Sequence, residues 1–168
     1  MTDMLMSATS GPALGRLAIL IGACFVAAVL GSLATTPNLG WHATLAKPPL
    51  NPPNWLFAPA WTLLFTLMAI AAWRIWRLPP SETRDAVLML FAVQLVVNAA
   101  WSWAFFGARS TLLGLFVIIP FLILVIATTL AFWRLDRTAG LMMLPYPLWV
   151  AFATYLNASM WWLNRTPA

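Results

Sequence analysis

From residue 14 onward the apolar positions gather into five long runs separated by short polar segments. The runs cover 14–33 (broken only by Arg16 near its start), 55–73, 86–107, 111–133 and 139–163. Each is about 20 residues, the length a helix needs to cross ~30 Å of hydrocarbon. Allowing for helix ends, the pattern predicts spans at 14–35, 54–77, 84–107, 110–134 and 139–164, with residues 1–13 a flexible N-terminal tail. A transmembrane β-barrel would alternate apolar and polar residues over roughly ten-residue strands. Runs such as LFVIIPFLILVIATTLAFW do not alternate. The expected fold is therefore all-α, an integral membrane bundle of five transmembrane helices, each satisfying its own backbone hydrogen bonds. The first run is longer than a signal-peptide core, and no basic residue precedes Arg16, so it reads as a retained helix.

The segments between the runs add detail. Residues 36–54 form the longest connection, with five prolines and an embedded Trp41. Prolines stiffen the backbone, and Trp41, Leu45 and Leu50 give this loop something to bury. It is expected to fold over one mouth of the bundle, with Asn54 capping the second helix. Ser81 is the expected cap of the third helix. Pro120, Pro145 and Pro147 should kink the fourth and fifth, which the short turn after Leu135 makes antiparallel neighbours. On the first helix, Ala23, Ala27 and Gly31 clear one face at a spacing of four. That face suits either a dimer seam or packing within the bundle.

Composition agrees with a membrane protein: of 168 residues, 62% are hydrophobic and only 8% charged. The net charge of +5 reflects scattered basic residues near helix ends and does not suggest nucleic acid. With alternating helices, Arg16, Arg74, Arg77, Arg84, Arg134 and Arg137 share one side, and Lys47, Arg109 and Arg165 the other. That imbalance puts the N-terminus inside and the C-terminus outside, and the helical hydrophobic spans favour a cytoplasmic membrane if the source is bacterial. Cys24 is the single cysteine and reads as a small packing residue.

Mid-membrane positions carry no Asp, Glu, Lys or His, which argues against an ion-coupled pump. One histidine, His42, supports no metal site, and no hydrolytic triad or carboxylate pair can be assembled. Aromatic chemistry remains. Of eleven tryptophans, Trp73, Trp76, Trp133, Trp161 and Trp162 suit an interfacial belt, whereas Trp61, Trp101 and Trp149 lie deeper. Helical spacing places Phe57, Trp61, Phe65 and Met68 on one face. It likewise groups Phe91, Gln94, Asn98, Trp101 and Phe105, and then Tyr146, Trp149, Ala153 and Asn157. Flat rings beside a few amides suit a pocket for a large planar apolar ligand. Interhelical hydrogen bonding within an ordinary core is the competing account.

Three segments carry a resemblance. KPPLNPPNWLFAPAWTLLF at 47–65, QLVVNAAWSWAFFG at 94–107 and LPYPLWVAFATYLNASMW at 144–161 resemble, in order, the motifs of the translocator protein / tryptophan-rich sensory protein (TspO/MBR) family. The resemblance implies a five-helix receptor, usually dimeric, that binds porphyrins, sterols and benzodiazepine-type drugs under its first loop. Bacterial members are tied to tetrapyrrole regulation and stress, and some promote light-dependent porphyrin breakdown. By motif position the pocket would hold Trp61, Asn98, Trp101, Tyr146, Trp149, Ala151 and Asn157, with Phe65 and Gln94 on the same faces. Trp41, Pro48, Pro52 and Pro53 would shape the lid. Trp61 and Trp149 match the tryptophans associated with photochemistry, and no other catalytic group is implied.

Two departures qualify the resemblance. Leu50 stands where the family carries a loop aromatic. The proposed sterol motif needs a basic residue within five of its tyrosine, yet nine residues separate Tyr155 from Arg165. Metal-free porphyrin is thus the favoured ligand over sterol or haem, with membrane lipid and a second copy of the chain as partners and no required cofactor. The functions in contention are a tetrapyrrole sensor, light-dependent porphyrin breakdown, passive transport of porphyrin or lipid, and a purely structural role.

Overall fold

The computed structural model of the chain describes residues 2–165, with side chains from Ala13 onward. The tail expected at 1–13 thus falls almost wholly outside the described side chains. Helix α1 spans Thr2–Thr35, and a 3₁₀ turn at Thr36–Asn38 with Pro37 near its start leads into α2, Leu39–Thr44. An irregular stretch at 45–53 and a second 3₁₀ turn, Asn54–Leu56, precede α3, Phe57–Trp76. Then come α4 (Glu82–Ser102), a π-helical turn (Trp103–Gly107), α5 (Thr111–Leu135), α6 (Arg137–Met143) and α7 (Pro145–Asn164). Five helical segments, Ala13–Thr44, Asn54–Trp76, Glu82–Gly107, Thr111–Leu135 and Arg137–Asn164, are long and apolar enough to cross a bilayer.

The side-chain distribution is that of a protein dissolved in lipid. Gln94, Asn98, Thr128 and Asn157 are buried, whereas Val96, Phe116 and Leu148 are about 70% exposed. Apolar side chains lose nothing by facing acyl chains, while an unpaired amide there would cost several kcal/mol. Thr128 and Thr129 settle their hydroxyls on the carbonyls of Leu124 and Val125, one turn back.

Caps set several boundaries. Ser81 accepts from the Arg84 amide at 3.2 Å, as expected from sequence, and Ser110 does the same for Leu113. Asp136 caps α6 through the amides of Thr138 and Ala139 and also pairs with Arg74 at 2.8 Å. Asn54, expected as a cap, makes no capping bond; it opens the 3₁₀ turn, and Pro53 occupies the cap position without a side-chain donor or acceptor. The first loop is also more helical than its prolines suggest, because Pro37 leaves the six residues of α2 free to form a turn and a half of helix.

Two helical irregularities shape the interior. The fifth span breaks at Leu144, directly before Pro145, whereas α5 runs unbroken through Pro120. Below the break α6 packs closely against α3 and α5; above it α7 packs closely on α5 and meets α3 through long side chains, Phe57 on Trp149 and Trp61 on Tyr146. Gly140 permits the close lower packing, since a Cβ there would lie 2.6 Å from the Trp133 Cα. The second irregularity is the π turn, in which Ala108 bonds back five residues to Trp103 and Ser110 to Phe105. Such turns mark functional sites often enough to direct attention there.

Candidate ligand-binding site

A cavity of about 760 Å³ is bounded by α1, α3, α4 with its π turn, and α7. That is within the size range of small-molecule sites, roughly 300–1,000 Å³. Seven rings stand in its wall: Phe57, Trp61 and Phe65 from α3, Trp101 from α4, Phe105 and Phe106 from the π turn, and Trp149 from α7. They brace one another, Phe57 against Trp149 with centroids 5.9 Å apart, Trp61 against Phe65 at 5.6 Å, and Trp101 against Phe105 at 5.7 Å. The consecutive Phe105 and Phe106 of the π turn both line the cavity, their centroids 4.8 Å apart.

Two polar clusters position this wall. Behind it, the buried Tyr146 hydroxyl donates to Gln94 Oε1 at 2.7 Å and accepts from Asn98 Nδ2 at 3.0 Å. Gln94 also lies 3.9 Å from the Met68 sulfur. A hydroxyl has one proton, and Gln94 takes it, so Asn98 must turn its amide nitrogen to Tyr146. Its Oδ1, left without a side-chain partner among the described residues, is available to the cavity that Asn98 lines. Nearer the loop end, Asn157 Oδ1 accepts the Trp101 indole N–H at 3.2 Å while its Nδ2 donates to the Thr111 carbonyl at 2.7 Å. Gly114 makes room for this, because a Cβ there would sit 2.7 Å from that oxygen. The indole nitrogens of Trp61 and Trp149 have no hydrogen-bond partner among the described residues.

The first loop roofs the cavity. Leu39 and His42 reach its lining, and Trp41 meets Phe105 edge-on at 5.6 Å. Three ties hold the roof to the bundle. Asn164 exchanges two 3.0 Å hydrogen bonds with the Ala46 backbone, Arg109 donates to Asn38 at 2.8 Å, and His42 stacks at a tilt on Phe106 at 5.5 Å. Arg109 takes a positive φ of 50° in the tight turn after the π helix to make its tie. To one side the roofed cavity is open: Ile21 and Phe25 of α1 and Thr62 and Thr66 of α3 line it yet remain exposed, so it communicates with the lipid between those helices.

Of the residues picked out from sequence, Trp61, Phe65, Asn98, Trp101, Trp149 and Asn157 converge on the cavity. Gln94 and Tyr146 stand behind it as fully buried supports. Trp41 braces the roof from outside the lining. Pro48 and Pro52 are buried in the loop and Pro53 is exposed, none of them on the wall. Ala151 faces outward from α7. Both readings of the amides hold together: Asn98 and Asn157 bond neighbouring helices and also face the cavity. Sequence reasoning passed over α1, which contributes Cys24, Phe25, Ala27 and Gly31. The spacing of four that drew attention there was a usable signal, since Ala27 and Gly31 turn inward, Gly31 against Ser102, and Ala23 outward. His42 was likewise seen only as a poor metal ligand.

Fold and site together define a multi-pass integral membrane protein with an aromatic cavity roofed by its first loop. Its chain belongs to the TspO/MBR family, whose model matches residues 20–163. It is 42% identical over 153 residues to the tryptophan-rich protein TspO of Chlorobaculum tepidum, covering 88% of this chain and 95% of that one. Protein CrtK of Rhodobacter capsulatus is 41% identical over 88% of this chain and 91% of its own. The translocator protein of Bos taurus is 36% identical over 74% and 75%. The family is one of membrane sensors and translocators.

Proposed function

We propose that this chain is a membrane receptor for porphyrin-type tetrapyrroles, held in the roofed cavity and read out as a signal on tetrapyrrole metabolism or stress. The observation that carries the reading is the convergence of three indoles, Trp61, Trp101 and Trp149, on a single cavity of about 760 Å³. Planar rings stack on a large conjugated ligand, and a few amides orient it. The side opening between α1 and α3 gives a lipid-soluble ligand an entry route that does not disturb the roof.

Titration of the purified protein with protoporphyrin in darkness, followed by tryptophan quenching, tests this. Saturation near one porphyrin per chain is expected, with Kd raised roughly three- to tenfold in Trp61→Phe or Trp149→Phe, about 1 kcal/mol for a lost stacking surface. Quenching that never saturates, and is the same in all three proteins, would reduce these indoles to packing. A second reading, light-dependent porphyrin breakdown, is favoured by the same indoles, whose oxidisable rings would lie against the excited ligand. It expects illuminated bleaching to be faster with the native chain than with an equal concentration of free tryptophan. Equal rates would eliminate it.

A further inference from the structure

We infer that the roof end of the cavity recognises an acidic edge of the ligand, with His42 donating a hydrogen bond to a carboxylate carried on a planar apolar body. This rests on the proposed tetrapyrrole reading and adds to it which end of the ligand meets which end of the site.

His42 is buried, 7% exposed, and lines the cavity from above. Its ring nitrogens have no hydrogen-bond partner among the described residues, and the groups stacked about it, Phe105 at 6.2 Å and Phe106 at 5.5 Å, offer no acceptor. The ring nitrogens are not sealed within the protein, so a donor there is open to an acceptor that a ligand carries into the cavity His42 lines. The electrostatic setting selects an anion for that part. Immediately after His42 the Lys47 ammonium folds onto the carbonyls of Ala43 and Leu45 at 3.2 and 3.3 Å. No Asp or Glu occurs in residues 35–54, 107–111 or 157–165, the segments that make up this end. Asp85 and Asp136 lie at the far end, each already paired with an arginine. A carboxylate at the roof therefore meets the His42 donor, with Lys47 five residues further along the same loop and no Asp or Glu in these segments. Charge-assisted bonds of this type are about twice as strong as neutral ones. The ring-lined wall below favours a flat conjugated acid over a flexible acyl chain, because stacking surface is matched only by a rigid plane.

Protoporphyrin and its dimethyl ester, which differ only in having carboxylates or esters, separate the acidic edge from the ring. Both are titrated in darkness against the native protein, His42→Leu and His42→Gln. For protoporphyrin, His42→Leu should raise Kd about tenfold, and His42→Gln, which keeps an N–H donor, by less. Binding of the dimethyl ester should change less than twofold in either variant, which also certifies that the cavity remains intact. Equal weakening of acid and ester would make His42 a packing residue of the roof and overturn the inference, as would no change for either ligand. Failure of the native protein to bind either porphyrin saturably would instead bring down the tetrapyrrole reading, and this inference with it.

Discussion

Tyr146 is the residue on which the interior turns. Its hydroxyl bridges the Gln94 and Asn98 side chains, and it does so at full burial between α4 and α7. Removing the hydroxyl in Tyr146→Phe takes the donor from Gln94 Oε1 and the acceptor from Asn98 Nδ2. Measured polar contacts between membrane helices average well below their vacuum strength, so a loss of about 1 kcal/mol is expected. The unfolding midpoint in detergent should fall by roughly 3 °C. Adding Gln94→Leu should cost little more, because exchanging both partners for apolar groups removes the unmet demand along with the bond. Strictly additive losses would show that the two side chains are uncoupled. By motif Tyr146 reads as a ligand contact; in place it works one layer behind, holding Asn98 so that its oxygen can serve the cavity.

At the level of elements, the cavity exists because the fifth span has two parts with different neighbours. Gly140 lets α6 press against α5, while beyond the break at Leu144 α7 approaches α3 only through long side chains such as Trp149 on Phe57. Gly140→Ala would drive a methyl into the Trp133 backbone at 2.6 Å, where nothing can rotate away, and should cost about 1–3 kcal/mol. Gly22→Ala, with nothing within 4 Å of the added carbon, should leave the midpoint unchanged or slightly higher. Matching losses in the two variants would mean the α5–α6 approach is not specially tight. These elements also mark what is legible in the chain. The five spans and the ring-bearing faces of α3, α4 and α7 follow from hydropathy and the 3.6-residue period, both of which are local. The π turn, the break at Leu144 and the part played by Phe25 and Gly31 are not local. They depend on which helices become neighbours, and a periodic pattern names a buried face without naming what it faces. His42 escaped for a related reason: a lone histidine in a proline-rich loop gains meaning only when that loop is seen to roof a cavity.

Across the whole molecule the two ends are built for different work. The end bearing six arginines is clamped. Arg74 pairs with Asp136, Arg84 donates to the Leu78 carbonyl, Arg16 reaches the Trp76 carbonyl and the Trp73 indole reaches that of Ala13. Its helices are thereby tied to one another close to their termini. The roof end is tied by more exposed bonds, and the largest single tie is the two-way exchange between Asn164 and the Ala46 backbone. That bond joins the last turn of α7 to the stretch leading into the prolines, so it couples the roof to the helix that lines the cavity through Trp149 and Asn157. Asn164→Ala removes both hydrogen bonds, about 1–1.5 kcal/mol in total at an exposed site. Amide exchange at Ala46 and Lys47 should then quicken about tenfold, while α3 and α5 exchange as before, because local opening of the roof does not require the bundle to unfold. Exchange that stays slow at Ala46 would assign the roof's hold to Trp41 and His42 packing on Phe105 and Phe106. Exchange that quickens throughout the bundle would instead make Asn164 part of the global fold, and the roof could not then move independently of the helices beneath it.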